Sequence, residues 1–225
     1  MHPIHGKPMI QHVYERSLAA SRVDAVLVAT DDQRIVAAVE AFGGRAVMTS
    51  DQNRSGTDRI AEAAQIIGLN SDDIVINVQG DQPLMDPRCL DQLVAPFYEE
   101  PKLDMSTLAY KIVRNREITD PKDVKVTFDN QGYALYFSRA AIPLARDPET
   151  RHDTFKHLGF YAYTCLFLEI YRNLAEGTLE AVEKLEQLRV LEHGYRIKVV
   201  VTPYDSPEVD LPEDIPRIER LMRAG

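Results

Sequence analysis

A single carboxylate follows a short β-branched run near the middle of the chain. Residues 74–78 read IVINV, and Asp81 stands three residues beyond them, after Gln79 and Gly80. Such a run predicts a strand buried on both faces of a parallel α/β sheet. Ligands of these sheets bind beyond the carboxyl ends of the strands, where a carboxylate can hold a magnesium ion that bridges phosphate oxygens. A plain turn that closes the strand is the simpler interpretation.

Two other stretches offer comparable chemistry at predicted helix starts. Residues 55–59 read SGTDR, and Ser55 with an acid three residues later is typical of a capping box. The same turn could present N–H groups to a phosphate or base, with Arg59 adding positive charge. Asp210 precedes Pro212 and a C-terminal helix, so that capping is its simpler role and metal binding its functional one.

The elements that must position these residues follow from hydrophobic periodicity. Strands predicted at 24–29, 45–48 and 74–78 alternate with amphipathic helices, which indicates βαβ units. The pattern then changes, and residues 104–165 are predicted to form a mixed-sheet insertion with a hairpin turn at 129–132. The strands expected in this insertion cover residues 104–112, 124–128, 133–138 and 157–164. Two helices are predicted to follow at 166–176 and 179–193, and a last strand at 196–202.

Composition limits the function classes. The chain has 225 residues, 44% of them hydrophobic, with a net charge of -9. An acidic chain argues against nucleic-acid binding, and no apolar run approaches the roughly 18 residues of a membrane span. Cys89 and Cys165 lie in apolar patterns without metal-ligand spacing, so we interpret them as reduced core residues of a cytoplasmic protein.

Taken together, eight motifs identify a family. They are HGKPMI (5–10), VATDD (28–32), SGTDR (55–59), NVQGDQP (77–83), YALYFSRAAIP (133–143), HLGFYAYT (157–164), LEQLRVLEHG (185–194) and VDLPED (209–214). In this order and spacing the chain resembles the 3-deoxy-manno-octulosonate (Kdo) cytidylyltransferases, also called CMP-Kdo synthetases. The resemblance implies a three-layer α/β, Rossmann-like nucleotidyltransferase fold with a mostly parallel sheet, forming one domain over residues 1–225.

The resemblance also implies a reaction and a set of roles. The anomeric hydroxyl of Kdo would attack the α-phosphorus of CTP, giving CMP-Kdo and pyrophosphate for lipopolysaccharide synthesis. Asp81 and Asp210 would be catalytic and hold Mg²⁺. The nucleotide would be bound by Ser55, Gly56, Thr57, Arg59, Gln79 and Asp81, and the sugar by Arg139, His157, Tyr161, Glu186 and Gln187. The insertion 104–165 would build a homodimer and contribute to sugar binding.

The chain departs from the family pattern in three places. Gln82 and Asp58 each stand where the pattern has glutamate. The family's first strand and triphosphate-binding loop would precede Met1, and Lys7, in a second GKP, is either a phosphate contact or a solvated charge. We therefore expect the native protein to carry a further N-terminal βα unit, with 24–29 and 74–78 about 9–10 Å apart around its slot.

Two alternative functions remain open on the sequence alone. One is a cytidylyltransferase for a related acidic sugar, either 8-amino-Kdo or a nonulosonic acid. The other is an inactive fragment that only binds nucleotide or dimerises. Pyrophosphate release from CTP, measured with each sugar in turn, distinguishes the three hypotheses.

Overall fold

A computed structural model describes residues 3–147 and 149–224. The strands are β1 Pro3–Ile4, β2 Lys7–Pro8, β3 Val28–Thr30, β4 Ala46–Met48, β5 Ile74–Asn77, β6 Met105–Lys111, β7 Lys125–Phe128, β8 Ala134–Ser138, β9 Phe155–Thr164 and β10 Lys198–Thr202. The helices are α1 Met9–Leu18, α2 Gln33–Ala41, α3 Gly56–Ile67, α4 Pro87–Glu99, α5 Asn115–Thr119, α6 Cys165–Asn173, α7 Thr178–Glu183, α8 Gln187–Glu192 and α9 Ile215–Ala224. A 3₁₀ turn, Pro212–Asp214, precedes α9.

Strand β9 is the centre of the main sheet. It pairs antiparallel with β6 along one edge, while β7 and β5 share its other edge. On the outer side of β6, β10 runs parallel to it. The start of β8 also meets β10, because Tyr133 bridges Lys198 and the Ala134 N–H donates to the Ile197 carbonyl. Strands β10, β6, β9, β7 and β8 therefore curl back toward one another around a shared interior.

The main sheet separates two apolar clusters. One face packs residues of β6, β9 and β10 against helices α3, α6 and α8, with Tyr163, Phe137 and Leu188 fully buried. The opposite face packs Leu108 and Phe160 against α4. This layering confirms the predicted α/β class and Rossmann-like arrangement.

Local sequence signals explain the helices that border the site. Helix α3 begins at the Ser55 cap, whose side chain accepts from the Asp58 N–H, and ends at Gly68 in the left-handed conformation. Helix α4 opens with Pro87 after the Asp86 cap. The predicted helix 179–193 is instead two helices, because Lys184 adopts a left-handed conformation (φ 54°) and ends α7.

Other expectations are confirmed or corrected by the strand pairing. The hairpin at 129–132 joins antiparallel β7 and β8 as predicted. The strand expected at 24–29 begins only at Val28 and pairs with β4. Strand β5 pairs antiparallel with β9, so the sheet is less parallel than predicted. Within residues 3–147 and 149–224, no ladder joins β3 to β5.

The remaining expectations concern thiols and membranes. Cys89 and Cys165 are free and buried, as predicted, and burial raises the pKa of the Cys89 thiol to about 11. In the described part of the chain, no helix has the length and apolar character of a membrane span.

A bulge interrupts β9 at Gly159. Thr107 of β6 faces Tyr161, but Ala109, two residues on, faces His157, so β9 has two extra residues at this point. Gly159 has φ +72°, a left-handed conformation that side chains other than glycine rarely adopt. The bulge brings the ring centroids of His157 and Tyr161 to 5.2 Å. A regular strand would hold residues four apart at about 13 Å.

We expect Gly159→Ala to destabilise the fold by about 1–2 kcal/mol, the cost of a left-handed alanine. The added Cβ would also lie 3.6 Å from Gln82 Nε2 and 3.8 Å from Gln79 Cγ. Denaturant unfolding measures the loss. Gly194→Ala is the matched control, because Gly194 has φ +80° but no atom within 4 Å of the new Cβ. An unchanged midpoint for Gly159→Ala would contradict the backbone argument.

Candidate active site

Three carboxylates meet at one edge of the main sheet. Asp81 follows β5, and its carbonyl accepts a 2.9 Å hydrogen bond from the Val209 N–H. This bond fixes the loop that carries Glu208 and Asp210 against the end of β5. On the outer side of the group, Lys122 Nζ lies 3.6 Å from Asp210 Oδ2.

The acids repel one another. Burial raises the pKa of Asp81, and the charge of Asp210 raises it further. Glu208 is exposed as a residue, yet its carboxyl end reaches the buried Gln82 amide at 3.1 Å. Desolvation there, together with the charges of Asp81 and Asp210, raises the pKa of Glu208 to about 7. Asp81 Oδ1 is buried and has no partner among the described residues, so a cation would satisfy an atom that the fold leaves unpaired.

Gln79 lies between two parts of the site. A Cβ built on Gly56, at the start of α3, would be 4.0 Å from Gln79 Nε2. A Cβ built on Gly159, in the bulge of β9, would be 3.8 Å from Gln79 Cγ. The predicted nucleotide turn and the predicted sugar strand therefore meet at Gln79, two residues before Asp81.

The first turn of α3 is already in contact with a carboxylate of the chain itself. Thr57 donates to Glu186 from its hydroxyl at 3.0 Å and from its backbone N–H at 3.4 Å. The Thr57 hydroxyl also lies 2.9 Å from the Tyr163 hydroxyl. Burial raises the pKa of Glu186. The free helix N–H groups that the sequence predicted are thus partly used by Glu186, which was expected to face only the sugar.

Arg59 links two of the sequence motifs. Its guanidinium donates to Asp31 Oδ2 at 2.8 Å and to Thr49 Oγ1 at 2.7 Å. The hydrogen bond to Asp31 lowers the pKa of that carboxyl. Arg59 therefore orders the start of α3 against the end of β3, and its predicted contact with the nucleotide stays a prediction. Asp58 is buried and paired with Arg54 at 3.3 Å.

His157 is a neutral histidine with a defined tautomer. Its Nε2 lies 2.8 Å from Thr107 Oγ1, whose own proton is donated to the Phe160 carbonyl at 2.7 Å. The Thr107 hydroxyl can only accept from the ring, so Nε2 carries the hydrogen and Nδ1 is an acceptor. Desolvation lowers the pKa of His157 to about 3.

Amide groups line the same face of the sheet. Tyr161 donates to Gln187 Oε1 at 3.0 Å, which confirms that these two predicted residues lie together. Gln187 Nε2 and Asn77 Nδ2 are both buried and have no hydrogen-bond partner within residues 3–147 and 149–224. Asn77 is the direct cross-strand neighbour of Tyr161. Two unsatisfied donors thus point to a ligand with acceptor oxygens.

Arg139 is held in place by backbone carbonyls. Its guanidinium donates to the backbone carbonyls of Glu183, Pro121 and Lys184 at 2.8, 3.0 and 3.4 Å. The expected contact of Arg139 and His157 with an acidic sugar stays a prediction. Here the arginine anchors the chain between α7 and α8, and the histidine is uncharged.

Sequence reasoning did not select several residues that contact the predicted ones. It selected neither Glu208 nor Gln82, although Gln82 stands in a quoted motif and Glu208 directly precedes another, and it omitted Thr107 and Asn77. Asn77 is a polar residue near the end of a predicted buried strand, and that position was the signal that could have identified it. Lys7 pairs with Glu15 at 2.8 Å and is exposed, which agrees with its interpretation as a solvated charge.

Comparisons with known proteins agree on one family. A family model described as Cytidylyltransferase matches residues 1–197. The chain is 64% identical to the 3-deoxy-manno-octulosonate cytidylyltransferase of Desulfatibacillum aliphaticivorans, covering 98% of this chain and 90% of that protein. It is 54% identical to the 8-amino-3,8-dideoxy-manno-octulosonate cytidylyltransferase of Shewanella sp. strain W3-18-1, covering 99% of this chain and 91% of that protein.

A solved structure is also similar. It is a CMP:2-keto-3-deoxy-manno-octonic acid synthetase complexed with CTP, with a TM-score of 0.92 and 41% sequence identity. The match covers 99% of this chain and 90% of that one.

We expect nitrogen-15 NMR of the histidine rings to show His157 neutral at pH 5, with its hydrogen on Nε2. The reason is that desolvation holds the pKa of this ring near 3, well below the ordinary 6.5. His157→Gln identifies the signal by its loss. Thr107→Val is the second variant, because it removes the acceptor for Nε2 and should change the tautomer ratio. A ring that protonates above pH 6 would show the site to be solvated.

Proposed function

Because the chain belongs to the cytidylyltransferase family, we propose that it activates 3-deoxy-manno-octulosonate with CTP, giving CMP-Kdo and pyrophosphate. The product would serve lipopolysaccharide synthesis. The single observation that carries the proposal is the position of Gln79, between the α3 turn and the β9 bulge and two residues before Asp81. Two substrate sites on either side of Gln79 would share one pair of acids, as a transfer between two substrates requires.

The reaction is a displacement at phosphorus. The oxygen of the sugar's anomeric hydroxyl forms a bond to the α-phosphorus, the bond to the bridging oxygen breaks, and pyrophosphate leaves with that oxygen. The hydroxyl proton passes to water. There is little covalent chemistry for the protein to supply, so rate acceleration depends on positioning and charge neutralisation.

Magnesium fits the acids at the sheet edge. Asp81 and Asp210 supply carboxylate oxygens, and the unpaired Asp81 Oδ1 is the atom that favours a cation there. Among the described residues, no set of three or more acid, histidine or cysteine side chains could hold a metal alone. This suits Mg²⁺, which commonly takes one or two carboxylates and completes its shell with water and substrate phosphates. When bound, the ion would neutralise charge that develops on the phosphate oxygens.

The sugar would lie on the amide-lined face of the sheet. The unpartnered Nδ2 of Asn77 and Nε2 of Gln187 would donate to acceptor oxygens of the sugar, and His157 Nδ1 would accept from a hydroxyl. Tyr161 holds Gln187 in place. Arg139 and Glu186 would support this pocket through the α7–α8 connection and through Thr57, respectively.

The nucleotide would lie on the α3 side of Gln79. Ser55, Gly56 and Thr57 form the turn, and Arg59 holds it against Asp31. Residues 1–225 would act as one nucleotidyltransferase domain, with 104–165 as its mixed-sheet insertion.

A second candidate substrate is the 8-amino analogue, because relatives at 54% identity carry that name. Pyrophosphate release from CTP tests the proposal, with Kdo, its 8-amino analogue and a nonulosonic acid supplied in separate reactions. We expect the highest kcat/KM with Kdo. Absence of release with all three sugars would contradict the proposed function.

We expect Asp81→Asn and Asp210→Asn each to lower turnover by more than about 100-fold, because metal binding is worth several kcal/mol of charge stabilisation. Thermal unfolding should change little, since neither side chain is part of the apolar core. Asp72→Asn, at an exposed position, is the matched control. Near-normal turnover in magnesium would remove that acid from the proposed metal pair.

We also propose a two-fold homodimer built by residues 104–165. Exposed apolar side chains in this region, Val113, Leu135 and Leu144, support it. Light scattering should give twice the 25.5 kDa of one chain, and Leu135→Glu should yield monomers. Val182→Glu, exposed but outside this region, is the control. A monomer at micromolar concentration would contradict the proposal.

A further inference from the structure

Gln82 is the most completely bonded side chain beside the acids. It is 0% exposed. Its Nε2 donates to the Leu158 carbonyl at 2.8 Å and to Glu208 Oε1 at 3.1 Å, while its Oε1 accepts from the Ser206 hydroxyl at 2.9 Å. Both amide hydrogens and the amide oxygen are therefore used.

The three partners of Gln82 belong to two separate parts of the site. Leu158 lies in the β9 bulge, next to the histidine of the sugar face. Ser206 and Glu208 lie in the loop that carries Asp210. Gln82 itself is the neighbour of Asp81, so one buried amide joins the first acid, the loop of the second acid and the sugar strand.

Only an amide can make this set of contacts. A carboxylate at position 82 could accept from Ser206, but it could not donate to Leu158 or to Glu208. It would also place a second negative charge against Glu208. No ion pair among residues 3–147 and 149–224 includes the Glu208 carboxylate, and the nearby Arg217 guanidinium donates to the Glu208 backbone carbonyl instead, at 3.2 Å.

We propose that Gln82 and Glu208 act as a positioning pair, in which the Glu208 carboxylate serves as the acceptor for the Gln82 amide and thereby fixes the spacing of Asp81 and Asp210. Glu208 is then a partner of Gln82 rather than a third ligand of the metal. This inference rests on the proposed cytidylyl transfer only where kcat is measured. The coupling of the pair can also be measured by unfolding, which does not depend on that reaction.

The test is a swap of the amide and the acid. We expect Gln82→Glu to lower kcat by about tenfold or more, equivalent to about 1.4 kcal/mol, with smaller changes in the KM values of CTP and sugar. Adding Glu208→Gln to Gln82→Glu removes the repulsion between the two carboxylates. This double variant should recover at least half of the decrease in log kcat. Recovery stays incomplete because the Leu158 carbonyl still lacks its donor. Glu208→Gln alone keeps an acceptor for Gln82. It should lower kcat by less than about fivefold, a smaller loss than the tenfold decrease expected for Gln82→Glu.

Two controls isolate the coupling between Gln82 and Glu208. Gln33→Glu makes the same chemical change at an exposed position and should leave kcat and unfolding unchanged. Denaturant unfolding is measured without substrate for the wild type, the two single variants and the double variant. The effects of the two substitutions on the free energy of unfolding should be non-additive, and the double variant should be more stable than Gln82→Glu. This readout holds even if the wild-type chain releases no pyrophosphate, a result that would contradict only the proposed function.

Two results would overturn the pair. Additive unfolding with no recovery of kcat in the swap would show that Gln82 and Glu208 act independently. A tenfold higher magnesium requirement for Glu208→Gln alone would make Glu208 a metal ligand instead.

Discussion

The break in β9 at Gly159 is the constraint on which the rest of the site depends. Without it, His157 and Tyr161 would stand about 13 Å apart along a regular strand, and the Leu158 and Phe160 carbonyls would not turn toward Gln82 and Thr107. The bulge instead brings the two ring centroids to 5.2 Å. The Leu158 carbonyl accepts from Gln82, and the Phe160 carbonyl accepts from Thr107. Because β9 is flanked by β6 on one edge and by β5 and β7 on the other, its local geometry affects all three neighbouring strands.

Charge is distributed unevenly around β9 and its neighbouring strands. The cationic side chains nearest the site are mostly engaged by the fold: Arg59 with Asp31, Arg139 with three carbonyls, and Lys156 with Asp205 at 2.8 Å. Burial raises the pKa values of Asp81 and Glu208 at the sheet edge, and repulsion from the neighbouring acids raises them further. Lys122 pairs with Asp210, but Asp81 Oδ1 has no partner among the described residues, so this group of acids is suited to a bound metal, whose binding energy offsets the repulsion.

The sequence was sufficient for the class of fold and the family, because periodicity and motifs are local properties. It correctly brought Tyr161 and Gln187 together, and placed Asp81 and Asp210 at one edge. It failed where a side chain's partner is far along the chain. The carbonyls that engage Arg139 belong to residues 121, 183 and 184, and Thr57 meets Glu186 across 129 positions. The antiparallel course of β5 was missed for the same reason, since an apolar run does not reveal the direction of its neighbour.

The Thr57–Glu186 contact also limits how the nucleotide can be held. A helix N-terminus attracts phosphate because its first N–H groups are unpaired. In α3 the Asp58 N–H is taken by the Ser55 hydroxyl, and the Thr57 N–H by Glu186. The partly buried Glu186 carboxylate adds negative charge to the turn. A triphosphate placed there would meet repulsion, so this turn would suit the neutral base or the ribose better, and the phosphates would then lie nearer Asp81, where a bound cation would neutralise them.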